Sequence, residues 1–276
     1  MKSRGFMRAF LLFAGVILLT AGVAVGFGYL MSHNTDRGIA DREDKALGLE
    51  KPVGDLVRKS ILADARIVRE KVVQATMTAI LDRLRSGMEP DPYTPMIIVA
   101  DSGRINAYSL PGGLIVVDCS LIAISYNPEE VAAVIAHELS HMAHADSWDA
   151  LRISIGTSLA LAALGGEEAV RMARNLIREA AFLGFSREIE TRADKEGIGN
   201  LAKVGISPSH FADALMKLKA ATEEGEDYPE ILSSHPDIDG RVELANQAGS
   251  GFEGKEIRLE IDWPAVKKTL PSVLHD

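Results

Sequence analysis

Val131-Ala132-Ala133-Val134-Ile135-Ala136-His137-Glu138-Leu139-Ser140-His141-Met142-Ala143-His144-Ala145 is the stretch from which the rest of the chain is best read. Val131, Val134, Ile135 and Leu139 recur at helical spacing, so the segment predicts an amphipathic helix. Asn127-Pro128-Glu129-Glu130 supplies its start: an N-cap, a proline at the first helical position and a glutamate at N3 closing a capping box. On that helix His137 and His141 lie one turn apart on one face, so both imidazoles can reach a single metal ion. Glu138 stands beside them, where a carboxylate can take a proton from activated water. His-Glu-x-x-His is the pattern that combines two zinc ligands with a general base. The small residues Ala132, Ala133 and Ala136 predict burial, and buried imidazoles need polar partners, which a metal supplies.

Catalytic zinc takes three protein ligands and keeps one position open. His144 lies roughly on the same face but two turns from His137, too far for one ion to meet both ends. Glu190, in Ser186-Arg187-Glu188-Ile189-Glu190-Thr191-Arg192-Ala193-Asp194-Lys195-Glu196-Gly197, is the better candidate. Asp194 follows it by one turn on the same face, as expected of a carboxylate that orients a ligand's imidazole ring. The competing reading of this segment is a solvated charged helix, which suits Arg187, Glu188, Lys195 and Glu196.

With those two segments in hand, the chain resembles the HtpX and CAAX-prenyl-protease family of gluzincins. The likeness extends to Asn106-Ala107-Tyr108-Ser109-Leu110-Pro111-Gly112-Gly113 and to Ser234-His235-Pro236 with Arg241 following, so it covers roughly residues 95–245. Lys195 stands where family members often carry Arg. The hydrophobic hairpins that flank the catalytic helix of integral-membrane relatives have no room here. The resemblance implies an α+β fold, mostly helical, with a zincin-like domain and a small sheet beside the His-Glu-x-x-His helix. It implies one Zn²⁺ per chain held by His137, His141 and Glu190, with Glu138 as the base and Asp194 supporting a ligand. His235 falls at the family's His-Pro position near the cleft. There it either donates to the developing oxyanion or occupies the open zinc position in a resting state, the plain alternative being an exposed turn.

The net charge of −9 and the lack of a basic stripe argue against a nucleic-acid partner. One cysteine, Cys119, excludes an intrachain disulfide and sits in the apolar stretch 114–122, where a buried inert thiol is expected. Residues 10–31 are apolar apart from Thr20 and Tyr29, and as a helix would span roughly 33 Å, enough for a bilayer core. Lys2, Arg4 and Arg8 precede them, which keeps the N-terminus cytoplasmic and sends the remainder across. A cleaved signal peptide ending near Gly22-Val23-Ala24 is the alternative.

These signals divide the chain into an anchor or signal peptide (1–32), a linker (33–54), a metallopeptidase domain (55–250) and a C-terminal extension (251–276). Within the domain, a long amphipathic helix is expected from Asp55 to Ser86, ended by Gly87. Short strands are expected at 96–100, 105–110 and 114–117; the resemblance to gluzincins makes Ser109–Gly113 a candidate edge for an extended substrate, with plain core structure as the alternative. Residues 153–166 read as a buried helix or membrane-facing lip, too short for a comfortable span. Ser207-Pro208 starts a helix running to about Thr222, and His210 in its first turn reads as a surface residue. Ile257, Leu259 and Ile261 alternate in the tail.

The expected function is therefore zinc-dependent endoproteolysis of misfolded or unassembled envelope proteins, with protein or peptide substrates and membrane attachment through the N-terminal segment. The expected location is the extracytoplasmic side of a bacterial inner membrane, by a single pass, or the periplasm after signal cleavage. The competing class is a chaperone-like zinc protein with little turnover, against which an intact Glu138 argues. An intramembrane prenyl-protein protease fits a single span poorly.

Overall fold

The computed structural model describes residues 54–55, 58, 61–62, 66–89, 94–150, 184–223, 235 and 237–271. In chain order the main elements are α1 (Lys71–Arg85), β1 (Met96–Ala100), β2 (Ala107–Leu110), β3 (Leu114–Asp118), α2 (Cys119–Ile124) and α3 (Pro128–Ala143). After these come α4 (Arg187–Lys203), α5 (Ser209–Glu223), α6 (Ile238–Ser250) and α7 (Trp263–Lys268). The chain is thus α+β and mostly helical, with one small sheet among the described residues, as the sequence predicts.

The sheet has the order β1-β3-β2, with β3 parallel to β1 and antiparallel to β2. Every residue of the central strand β3 is buried, so both of its faces must pack. Ile115 and Val117 join the main core with α1, α3, α4 and α5, while Leu114 and Val116 face a smaller cluster that holds Trp148. Pro111-Gly112-Gly113 turns β2 into β3, and both glycines take the left-handed backbone (φ 82° each) that this tight connection demands.

The helix α3 is the centre of the molecule: every residue from Pro128 to Met142 is buried. Its start follows the sequence reading. Asn127 accepts from the Glu130 N–H at 3.0 Å, and the Glu130 carboxylate reaches back to the Tyr126 N–H at 2.9 Å. Lys217 of α5 neutralises this buried carboxylate with a direct ion pair. The second helix, α4, lies directly against α3 because Gly197 has no side chain: a Cβ there would stand 3.1 Å from the His137 backbone nitrogen.

The single helix expected over 55–86 is interrupted. Residues 54–55, 58 and 61–62 are helical, but 66–70 are extended before α1 begins. The Val68 N–H donates to the Val99 carbonyl at 2.9 Å and the Asp101 N–H to the Arg66 carbonyl at 2.8 Å. The outer edge of β1 would otherwise carry unpaired backbone groups, and pairing them outweighs helical continuity. His210, expected at the surface, is buried, with Nε2 2.8 Å from Glu256 Oε1. The alternation at Ile257, Leu259 and Ile261 forms no strand. Instead, the Ile257 N–H reaches the Gly205 carbonyl and the Leu259 N–H the Glu129 carboxylate, each at 2.7 Å. Beyond it, α7 packs on the core through Trp263 and Val266, and the indole N–H donates to the Ser125 carbonyl.

Cys119 is buried and free, its thiol pushed up to about 12 by burial and by the nearby Asp118 and Asp101, which makes it inert. The apolar segments 10–31 and 153–166 lie outside the described residues. Among those described, no helix is long and apolar enough to cross a membrane.

Candidate metal centre

Two helices and one residue outside them bring donor atoms together around the middle of α3. His137 and His141 project from it, Glu190 comes from the first turn of α4, and His235 from the segment before α6. Each offers one donor atom, and the four atoms lie within 4.8 Å of one another, all on buried residues. His137 Nε2 is 3.0 Å from His141 Nε2 and 3.3 Å from His235 Nδ1. Glu190 brings its oxygens 3.6 Å from His137 Nε2, 3.4 Å from His141 Nε2 and 2.8 Å from His235 Nδ1. A tetrahedral site with arms of about 2.0–2.1 Å has edges of about 3.4 Å. The observed separations bracket that length.

The ring tautomers argue the same way. His137 Nδ1 is 2.9 Å from Asp194 Oδ1 and His141 Nδ1 is 2.9 Å from Asp146 Oδ2. A carboxylate accepts and does not donate, so His141 Nδ1 carries hydrogen and the Nε2 of the neutral ring carries a lone pair, whereas His137 Nδ1 stands between Asp194 Oδ1 and an Arg241 terminal nitrogen 3.3 Å away. The two Nε2 atoms face each other across 3.0 Å, where a shared proton or a cation holds them together. Glu190 Oε2 and Glu138 Oε1 are also buried without a hydrogen-bond partner, a costly arrangement unless something positive is shared among them. The donor set fits a metal ion.

Charge in the cluster is consistent with this. Burial alone would lower the His141 pKa, but hydrogen bonds to Asp146 and Glu190 outweigh it and carry it up to about 9. A proton on His141 and a metal ion compete for the same nitrogen, so binding a metal there releases the proton. Burial, reinforced by Arg241, keeps His137 well below its usual value and so unprotonated. Glu190 is held far below the carboxylate range, because bonds from His141 and His235 overcome its burial. Burial raises Glu138 against the opposing pull of His235 and His141, which suits a group that must take up a proton.

A second layer holds these rings in place. Asp194, on the turn after Glu190 as the spacing predicts, is gripped by Arg241 of α6, with Nε 2.9 Å from Oδ2 and one terminal nitrogen 2.8 Å from Oδ1. The same guanidinium donates to the His235 carbonyl at 3.2 Å. Asp146 is held by Arg192, 2.6 Å away. Phe185 stacks on His141 and Phe211 on His137, which excludes water from the outer ring faces. Glu138 lies beside the cluster, its Oε2 accepting the Ser109 N–H at 2.9 Å and its Oε1 3.6 Å from His235 Nε2.

His137, Glu138, His141, Glu190, Asp194 and His235 are therefore all brought together. His144 is not. It is part-exposed and pairs with Glu196, which also accepts from Ser140. Sequence reading missed two partners, Asp146 and the role of Arg241. Asp146 lies five residues past His141, outside the helical spacing that would have marked it. Its approach depends on Ala145, which takes a left-handed backbone (φ 55°) and ends α3. Asp146→Asn keeps the shape but weakens the acceptor, so metal affinity should fall by about 10–100-fold in a chelator-competition titration. Unchanged affinity would leave Asp146 as a partner of Arg192 alone.

A helix bearing two histidines, a carboxylate from a second helix and a small adjoining sheet define a zincin-like metallopeptidase centre. Residues 68–248 match the sequence model described as Peptidase family M48, and the chain belongs to that family. It is similar to the beta-barrel assembly-enhancing protease of Escherichia coli (strain K12), 25% identical over 266 residues, covering 91% of this chain and 54% of that protein. Metalloprotease LoiP of the same strain is 28% identical over 166 residues, 58% of this chain and 64% of LoiP. The mitochondrial metalloendopeptidase OMA1 of Schizosaccharomyces pombe (strain 972 / ATCC 24843) is 26% identical over 139 residues, 50% of this chain and 41% of its own. The chain spans about half the length of the assembly-enhancing proteases it matches.

Proposed function

We propose that this chain is a zinc-dependent endopeptidase that cleaves misfolded or unassembled proteins of the bacterial envelope. The observation that carries the reading is the buried four-donor cluster with Glu138 directly beside it. Imidazole and carboxylate donors at tetrahedral spacing favour zinc. His137, His141 and Glu190 would hold the ion, which when bound supplies Lewis-acid activation of water and of the scissile carbonyl.

The remaining chemistry belongs to the chain. Glu138 is the base. Oε2 is tied to the Ser109 N–H, which leaves Oε1 to accept the proton of the attacking water and return it to the departing amine. Asp146 accepts from His141 Nδ1–H and Asp194 lies 2.9 Å from His137 Nδ1, and both so keep the Nε2 atoms turned inward. Arg241 grips the Asp194 carboxylate beside His137 and anchors the backbone of His235. Stacking of Phe185 and Phe211 keeps solvent from the ring faces.

His235 acts as a cap in the resting state. Its Nδ1 stands among the donors as a fourth candidate ligand, where a substrate carbonyl or water would otherwise sit. His235→Ala should therefore raise basal cleavage while zinc stays bound. A fall of roughly 10²–10³-fold would instead assign it to the oxyanion.

The envelope substrate class is supported by the name of the assembly-enhancing protease relatives and by the apolar, positively flanked residues 10–31. In this reading residues 1–32 are a single-pass inner-membrane anchor or a signal peptide, 33–54 a linker, 55–250 the catalytic domain on the extracytoplasmic side and 251–276 an extension. The test is cleavage of an unfolded protein such as casein by the purified chain. Activity should be abolished by a strong chelator and restored by zinc. A metal-loaded, folded chain without chelator-sensitive cleavage would move the reading to a chaperone-like binding protein.

A further inference from the structure

Ser147 is buried, carries a hydroxyl that the reaction does not use, and lies two residues past the left-handed Ala145. The turn at Ala145 sends the next two side chains back toward α3 and the sheet. Asp146 reaches His141, and Ser147 reaches β2. The Ser147 hydroxyl donates to the Ser109 carbonyl at 2.8 Å and lies 3.1 Å from the Ser109 hydroxyl. At the same residue, the Ser109 N–H donates to Glu138 Oε2 at 2.9 Å.

Ser109 lies on an edge strand, since among the described residues β2 pairs with β3 alone. Both of its backbone polar groups point away from β3, one to Glu138 and one to Ser147. An edge peptide held on one side only can shift along or away from the sheet. The Ser147 hydrogen bond supplies the opposing restraint. Expected as a docking edge for substrate, this residue is already engaged at both groups by the protein itself.

We propose that Ser147 is a positioning residue for Glu138, acting through the Ser109 peptide. It keeps the Ser109 N–H aimed at Oε2, and that bond fixes the carboxylate rotamer with Oε1 toward the metal-binding donors. The inference rests on the reading of Glu138 as the base.

Steady-state kinetics on the full, zinc-loaded chain test it. Ser147→Ala should lower kcat by about 10–100-fold, the range for loss of an orienting partner, with KM and zinc content unchanged. Ser147→Thr keeps the hydroxyl and should recover most of the rate. Hydrogen exchange should be faster at the Ser109 amide in Ser147→Ala, with or without metal. Should Ser147→Ala fail to fold, Ser147→Cys, close in volume and a weak donor, carries the same expectation.

The deciding measurement is a double-mutant cycle. If Ser147 works through Glu138, Ser147→Ala should add nothing to the loss caused by Glu138→Gln. Equal losses in both backgrounds, an unchanged kcat, or loss of zinc in place of kcat would overturn the positioning role. Full activity in Glu138→Gln alone would break the base assignment instead, so the two failures are distinguishable.

Discussion

Glu138→Gln is expected to keep its metal and fold while proteolysis falls by about 10²–10⁴-fold, the contribution typical of a general base. The amide matches the carboxylate in shape, and its oxygen can still accept the Ser109 N–H, so the contact between α3 and β2 survives. What disappears is the basic oxygen that has no other hydrogen-bond partner in the site. The change also removes a carboxylate whose charged form burial disfavours, so the fold should be no less stable. Metal analysis and a melting curve alongside the peptidase assay separate the possibilities. Retained cleavage with retained metal would mean that another group takes the proton.

Glu190→Gln should fail differently, with metal and activity falling together. A neutral amide is a poor ligand, and the two histidine nitrogens 3.0 Å apart would lose the anion that balances a divalent cation between them. His141→Ala should give the same joint loss by removing a donor outright. Because Glu190 also binds His235 Nδ1, its replacement should in addition loosen the segment before α6. Elemental analysis after dialysis decides the matter. One metal per chain in Glu190→Gln would show that His235 substitutes as a ligand, and the assignment of Glu190 would be lost. Glu188 and Glu196 offer a contrast: Glu188 is exposed, and Glu196 is committed to His144 and Ser140, so neutralising either should leave the metal in place.

Local pattern alone determined a good part of this site. The helical spacing of His137 and His141, the Asn127 cap with Glu130 and the one-turn interval from Glu190 to Asp194 all follow from a period of 3.6 residues. They hold because α3 and α4 are regular helices whose side chains cannot change face. Tertiary structure decided the rest, since contacts between residues distant in the chain leave no periodic trace. His235 meets His137 across 98 positions and Arg241 meets Asp194 across 47. Residues 66–70 leave their helix because the edge of β1 offers better backbone partners than another turn would. Asp146 and Ser147 turn back because one left-handed residue redirects them, the first onto His141 and the second onto Ser109. The amino-acid order named the groups that can bind a metal and move a proton; the packing of α4, α6 and the edge strand around α3 chose which carboxylate, which third histidine and which supporting partners stand at the centre.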